Sequence, residues 1–198
     1  ATEGSVIGFI VRKLFDGVVD ATLLNYTVGA LIAAPALANI TSFLWAMLAS
    51  GRKKIPFITA LQLMLLVAIS LMALAPRTPT GLFMLVSSAF AARILLAGIV
   101  TVRSTVWGVN YPIDRARMTG KVQAVSVTIN SMIAIGLGLA MQASENSYRL
   151  LLPLGGIVAL VGVGSYARIR VRGERMILRA EKCATRKGQR SSLMNIVR

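Results

Sequence analysis

Histidine is absent from this sequence of 198 residues, and cysteine occurs once, at Cys183. A single thiol cannot form a disulfide within the chain. Without histidine, the chain also lacks Cys/His metal sites and any catalysis that pairs a nucleophile with an imidazole base. We therefore expect a protein that is not an enzyme and that holds neither a metal nor a cofactor.

Carboxylates are scarce as well, since 7 Asp and Glu stand against 22 Lys and Arg, for a net charge of +15. No acidic residue occurs between Ala21 and Ile113 or between Arg115 and Ser144. A nucleic-acid binder spreads its cations over a soluble fold, whereas here long stretches carry no charge at all. The pattern excludes nucleic acid as the expected partner and indicates that the charges set membrane topology.

What the chain has in abundance is apolar sequence. Hydrophobic residues make up 56% of it, charged residues 15%, and the mean hydropathy is +0.71. Crossing a bilayer core of about 30 Å takes about 20 apolar helical residues. Five segments reach or approach that length, namely 23–49, 55–75, 81–109, 122–142 and 150–167. The lipid bilayer is therefore the expected surrounding of the chain.

A sixth, partial span is predicted at residues 1–14, and the lack of an initiator Met indicates a fragment whose first helix begins upstream. The connections between spans are short, so consecutive helices should be antiparallel neighbours. The sequence predicts an all-α integral membrane bundle of six helices over residues 1–167, followed by a basic tail or linker over 168–198.

Lys and Arg are distributed unevenly between the two ends of this bundle. Segments 50–54, 110–121 and 168–198 carry 16 of them, while the opposite end carries 4. The positive-inside rule places the richer end in the cytoplasm and connections 76–80 and 143–149 outside. We expect a multi-pass protein of a cell membrane, in particular the bacterial inner membrane.

The first cytoplasmic connection carries a recognisable motif. It ends in the consecutive residues Gly51, Arg52, Lys53 and Lys54. This resembles the Gly-x-x-x-Asp-Arg-x-Gly-Arg-Lys-type motif between helices 2 and 3 of the major facilitator superfamily. Where that motif has its first glycine, its aspartate and the following basic residue, this chain has Leu44, Leu48 and Ala49. We expect the loop cations to lie in water or against anionic headgroups.

Two further features are similar to the same family. Arg93 is followed by Gly98 in the fourth span, and loop 110–121 is basic. The fifth span lacks the Gly-Pro signature of the family's antiporters. It has Ile135, Gly136, Leu137, Gly138 and Leu139 at that place. The resemblance implies one half of a twelve-helix transporter that moves a small-molecule substrate by alternating access, with a second half missing from this sequence.

Arg93 is the most informative single residue, because an arginine near the bilayer midplane should face the bundle interior or a wet cavity. A purely structural charge pair is the alternative. Asn39, Gln62 and Asn130 are polar positions inside other spans, and they either bind neighbouring helices or line a path. The candidate transport path consists of Glu3, Asn39, Arg93 and Asn130.

A non-transport membrane scaffold or lipid-interacting subunit is the rival hypothesis, because the same spans and basic tail would serve it. The tail is either a linker that fixes topology or a contact with anionic lipid through cations such as Arg175 and Arg179. A scaffold should tolerate the loss of Arg93, whereas a transporter should not.

We predict that Glu3 and Arg93 pair inside the bundle, since both lie about 15 to 18 Å from the outer end of their helices. Neutralising only one partner, by Glu3→Gln or Arg93→Leu, should lower the melting temperature more than neutralising both, because an unpaired buried charge is left behind. Such a carboxylate could also carry a proton across the membrane. A double-mutant cycle measures the coupling, and simply additive losses would contradict the pair.

Overall fold

The computed structural model describes the backbone of residues 2–143, 147–171, 173–176, 178–181 and 183. It describes their side chains as well, except for those of 2–6, 115, 134, 137–138, 140–143 and 147–154. Regular structure in this part of the chain is helical, without strands. The continuous helices are α1 (Thr2–Phe15), α2 (Ala21–Ile40), α3 (Ser42–Ala49), α4 (Lys54–Ala73), α5 (Pro79–Asn110), α6 (Arg115–Ala143) and α7 (Ser147–Ala167). The all-α class predicted from the sequence is confirmed.

Helices α2, α4 and α5 are long and apolar enough to cross a membrane, and Gly155–Ala167 within α7 forms a shorter apolar stretch. Their length and composition are those of a membrane protein. The bounds of α4 and α5 follow the spans predicted at 55–75 and 81–109. The six-span count remains a prediction, because α1, α6 and α7 do not reach the same length and hydropathy over the described residues.

Helices α2 and α5 begin at side-chain caps. The Asp20 carboxylate accepts a hydrogen bond from the Thr22 N–H at 3.2 Å, and the Thr78 hydroxyl oxygen accepts one from the Gly81 N–H at 3.1 Å. Pro79 follows Thr78 at the first helical position, where its missing N–H costs nothing. Each cap satisfies an N–H that would otherwise stay unpaired where the chain enters the apolar region.

The second span is interrupted, which the sequence did not predict. The sequence predicts one span over 23–49, but α2 continues through Pro35 and ends at Ile40. Thr41 separates it from α3, and both its backbone N–H and its hydroxyl donate to the Ala38 carbonyl, at 3.0 and 2.7 Å. A side chain that competes for the helical carbonyl in this way disturbs the local hydrogen-bond ladder.

Helix α5 lies at the centre of the described contacts, touching α2, α3, α4 and α6. Two apolar clusters are arranged along it. The first joins α1, α2, the end of α4 and the start of α5, as far along α5 as Ala92. The second joins α3, the start of α4 and the second half of α5 from Leu95 to Trp107, together with Tyr166 and Val171.

The Trp45 indole of α3 lies close to the α5 backbone at Gly98. A Cβ atom there would lie 2.8 Å from Cδ2 of the Trp45 indole, closer than packed carbon atoms tolerate. Trp45 also packs edge-on against Phe57 of α4, with ring centroids 6.4 Å apart. Gly98 therefore makes room for the indole ring that joins α3 to α4 and α5.

Replacing Gly98 by valine should destabilise the protein by about 1 to 3 kcal/mol, because the new side chain overlaps the indole and forces it to move. Gly29→Val in α2 is the matched control, since a Cβ there meets nothing within 4 Å. Thermal unfolding in detergent measures the difference. Equal melting temperatures for the two variants would show that the contact with Trp45 does not constrain the fold.

Candidate functional site

Arg93 lies in the middle of α5, at the junction of the two apolar clusters. It follows Pro79 by 14 residues and precedes Asn110 by 17, so about 21 and 26 Å of helix separate it from the two ends. Its side chain is half-buried. A guanidinium in the middle of a membrane-spanning helix is costly to leave facing lipid. The polar surroundings of Arg93 must therefore come from the protein or from a wet cavity.

The other candidate path residues lie on helices that are linked through contacts to α5. Asn39 on α2 and Asn130 on α6 both have exposed side chains, and α5 contacts each of these helices. Asn130 lies about 22 Å along α6 from Arg115, a level similar to that of Arg93 measured from the same end. Asn39 lies about 15 Å from the end of α3, so it is nearer to that end than Arg93.

The backbone of Glu3 lies in α1, about 18 Å from the end of that helix at Phe15, which is a level similar to that of Arg93. Its side chain lies outside the described residues, so the pair with Arg93 remains a prediction.

Gln62 on α4 is a further polar group inside the bundle. Its Oε1 atom is buried and has no hydrogen-bond partner among the described residues. Leaving such an acceptor unsatisfied costs about 1 to 3 kcal/mol. The side chain thus offers a buried acceptor to a polar group that enters the bundle, a role that its apolar neighbours cannot fill.

At the end of the bundle where α4 begins, Lys54 is buried, with 6% of its surface exposed. This corrects the expectation that all the loop cations lie in water or against headgroups. The Lys54 ammonium donates to the Ala49 carbonyl at 2.7 Å and to the Glu181 carboxylate at 2.9 Å. Burying an ammonium is costly without such partners, so Glu181 supplies the countercharge that makes this position tolerable.

Two acidic residues of the tail, Glu181 and Glu174, bind the backbone of the α3–α4 loop and of the first residue of α4. Glu181 accepts a second hydrogen bond, from the Gly51 N–H at 2.7 Å, and Gly51 has a φ of 69°, which a residue with a Cβ rarely adopts. Glu174 accepts from the Lys54 N–H at 3.3 Å. A carboxylate is favourable there because α4 begins at this point with unpaired N–H groups and a partial positive charge. Glu174 and Glu181 thereby hold the tail against the α3–α4 loop.

Further contacts gather the basic connections at this end of the molecule. The Asn110 side-chain amide donates to the Arg170 carbonyl at 3.3 Å, which joins the end of α5 to the chain after α7. Leu178 and Glu174 share a narrow crevice with Val109 of α5. The α3–α4 loop, the end of α5 and the tail therefore lie together, as the alternating topology requires.

The remaining cations at this end differ in their surroundings. Arg52 and Lys53 are exposed, and the Arg52 guanidinium lies 5.9 Å from the centre of the Phe57 ring. Arg103 is half-buried, with its guanidinium 4.9 Å from the centre of the Trp107 ring. Stacking on an aromatic face stabilises a cation in apolar surroundings.

Sequence reasoning identified the loop motif but missed its partners. Glu174 and Glu181 are the only Asp or Glu residues after Glu145, and they lie seven residues apart, which places both on one face of a helix. That spacing was the available signal.

Comparisons of the chain with protein-family models, with curated proteins and with solved structures found no match.

The replacement Glu181→Gln should release the tail from the loop, because it keeps the shape of the side chain but removes the countercharge of Lys54. A hydrogen bond to a charged group contributes about 1.5 to 3 kcal/mol, so the undocked fraction should rise at least about tenfold. The rate of trypsin cleavage at the exposed residues Arg175 and Arg179 measures that fraction.

Glu174→Gln is the matched control, since its single hydrogen bond is longer and involves no cation, and it should accelerate cleavage less. Removing both charges with Lys54→Met and Glu181→Leu should be milder than Glu181→Gln alone. Equal cleavage rates in the Glu174 and Glu181 variants would contradict the role assigned to Lys54.

Proposed function

We propose that this chain forms one half of a secondary transporter of the major-facilitator type, which moves a small solute by alternating access. Its six helices would form half of a twelve-helix bundle in the bacterial inner membrane, and the solute would pass between this half and a second one. The position of Arg93 is the observation that carries the proposal.

A membrane helix retains a central arginine only at a cost, and that cost is lowered where the side chain faces a polar interior. Arg93 lies in the middle of the predominantly apolar helix α5, at the junction between two apolar clusters. In a scaffold such a charge would form a structural pair with a neighbouring group. In a transporter it would also attract or orient a polar solute in the bilayer core.

The polar groups on neighbouring helices support the same function. Asn39 and Asn130 are exposed on the surface of this half, and Gln62 presents a buried acceptor without a partner among the described residues. Where two halves face each other across a wet cavity, such amides would bind water and solute. A proton could accompany the solute through Glu3.

Accessibility to a charged thiol reagent tests the proposal without knowledge of the solute. In the full-length protein with Cys183→Ser, single cysteines at positions 39 and 130 should react with a membrane-impermeant methanethiosulfonate added from either side. Access from both sides is expected because an alternating cavity opens to each in turn. Oriented membrane vesicles and mass spectrometry give the two rates.

Val67→Cys is the matched control, since Val67 is 60% exposed on an apolar face of α4 that also bears Met64 and Leu71. It should stay unreactive. Cysteines at positions 53 and 78 report the two aqueous sides, cytoplasmic and external respectively. Labelling of position 78 from the cytoplasm would overturn the helix assignment, and unreactive cysteines at positions 39 and 130 would favour the scaffold.

A further inference from the structure

The tail after α7 presents two chemically different faces. We use the name tail segment for residues 173–176, 178–181 and 183, whose described positions from 174 onward are helical. Glu174, Leu178 and Glu181 follow a spacing of four and three residues, so they share one face. That face lies against the bundle, because both carboxylates bind the α3–α4 loop and Leu178 lines a crevice beside α5.

The opposite face of the tail segment carries cations and no described carboxylate. Arg175 and Arg179 are four residues apart and exposed, and Met176 beside them is 75% exposed. Cys183 is exposed on the same side. The two acids bind Lys54 and Gly51 from the other face of the segment. The outward surface therefore combines positive charge with an apolar side chain.

The position of the tail segment determines which anions can contact its arginines. It docks where α4 begins and α5 ends, and these are two of the helices that are long and apolar enough to span a membrane. Residues at the end of a spanning helix lie at the level of the lipid headgroups. Arginine side chains reach that layer readily, and an exposed methionine can enter its apolar margin.

We propose that the outward face of the tail segment binds the headgroups of anionic phospholipids through Arg175 and Arg179, with Met176 inserted beside them. Glu174 and Glu181 hold the segment at the correct depth and orientation from its other face. The α3–α4 loop is thus connected to the membrane surface through the tail segment. This inference is independent of what the bundle transports.

The native Cys183 provides the probe, because it is the only cysteine and is exposed on this face. The full chain, labelled there with an environment-sensitive fluorophore, is placed in nanodiscs of phosphatidylcholine with increasing fractions of phosphatidylglycerol. The emission should shift to the blue as the anionic fraction rises. About 1 M salt should reverse the shift, since it shortens the Debye length to about 3 Å.

Replacing Arg175 and Arg179 by glutamine should weaken the affinity of the tail segment for anionic headgroups about fivefold for each arginine removed, and so raise the phosphatidylglycerol fraction at half-maximal change. Arg77→Gln is the matched control, because it removes one cation from the connection before α5, and it should leave the response unchanged. Both arginines of the tail segment are exposed, so the variants should fold.

Equal emission in neutral and anionic nanodiscs would overturn the proposal, as would an unchanged midpoint in the double variant. A blue shift produced in neutral nanodiscs by millimolar glycerol phosphate would assign the site to a free phosphate and would equally reject the membrane surface as its ligand.

Discussion

The buried ammonium of Lys54 is the charge around which one end of the molecule is organised. A cation at the first residue of a helix faces both an apolar surrounding and the positive end of the helix dipole, and both raise its free energy. Glu181 offsets the first effect by direct contact, and Glu174 offsets the second by accepting from the backbone N–H. The position of the tail and the left-handed conformation of Gly51 follow from this requirement.

Arg93 in the middle of α5 is also a cation among apolar side chains, but it cannot be neutralised in the same way as Lys54. Lys54 is close enough to the aqueous end for a tail to reach back and neutralise it, whereas Arg93 lies more than 20 Å from either end of its helix. Its surroundings must therefore be polar at the level of the bilayer core itself. A charge that loops cannot reach therefore needs polar partners on the helices themselves.

Charge is also divided between the faces of single elements. The tail segment directs its carboxylates inward, where they satisfy a buried cation, and its arginines outward, where water or anionic headgroups surround them. Counted along the sequence, these residues form one basic stretch with two acids. In three dimensions they separate into an intramolecular anchor and a surface with a single sign of charge, and the two faces differ in the partners they can bind.

Hydropathy alone located α4 and α5 closely, because burying an apolar stretch of about 20 residues in lipid requires a helix whatever its neighbours are. It also marked Arg93 and the Gly51 loop, since charge and glycine stand out against an apolar background.

Hydropathy could not locate the break at Thr41, which depends on how one hydroxyl competes for the Ala38 carbonyl. Nor could it locate the close approach at Gly98, which depends on where the Trp45 ring lies. It placed Lys54 in water, because the residue that buries and neutralises it lies 127 positions away. Local composition determines which segments enter the membrane, whereas the pairing of distant charges is decided only when the helices pack and bring the end of the chain back to the loop.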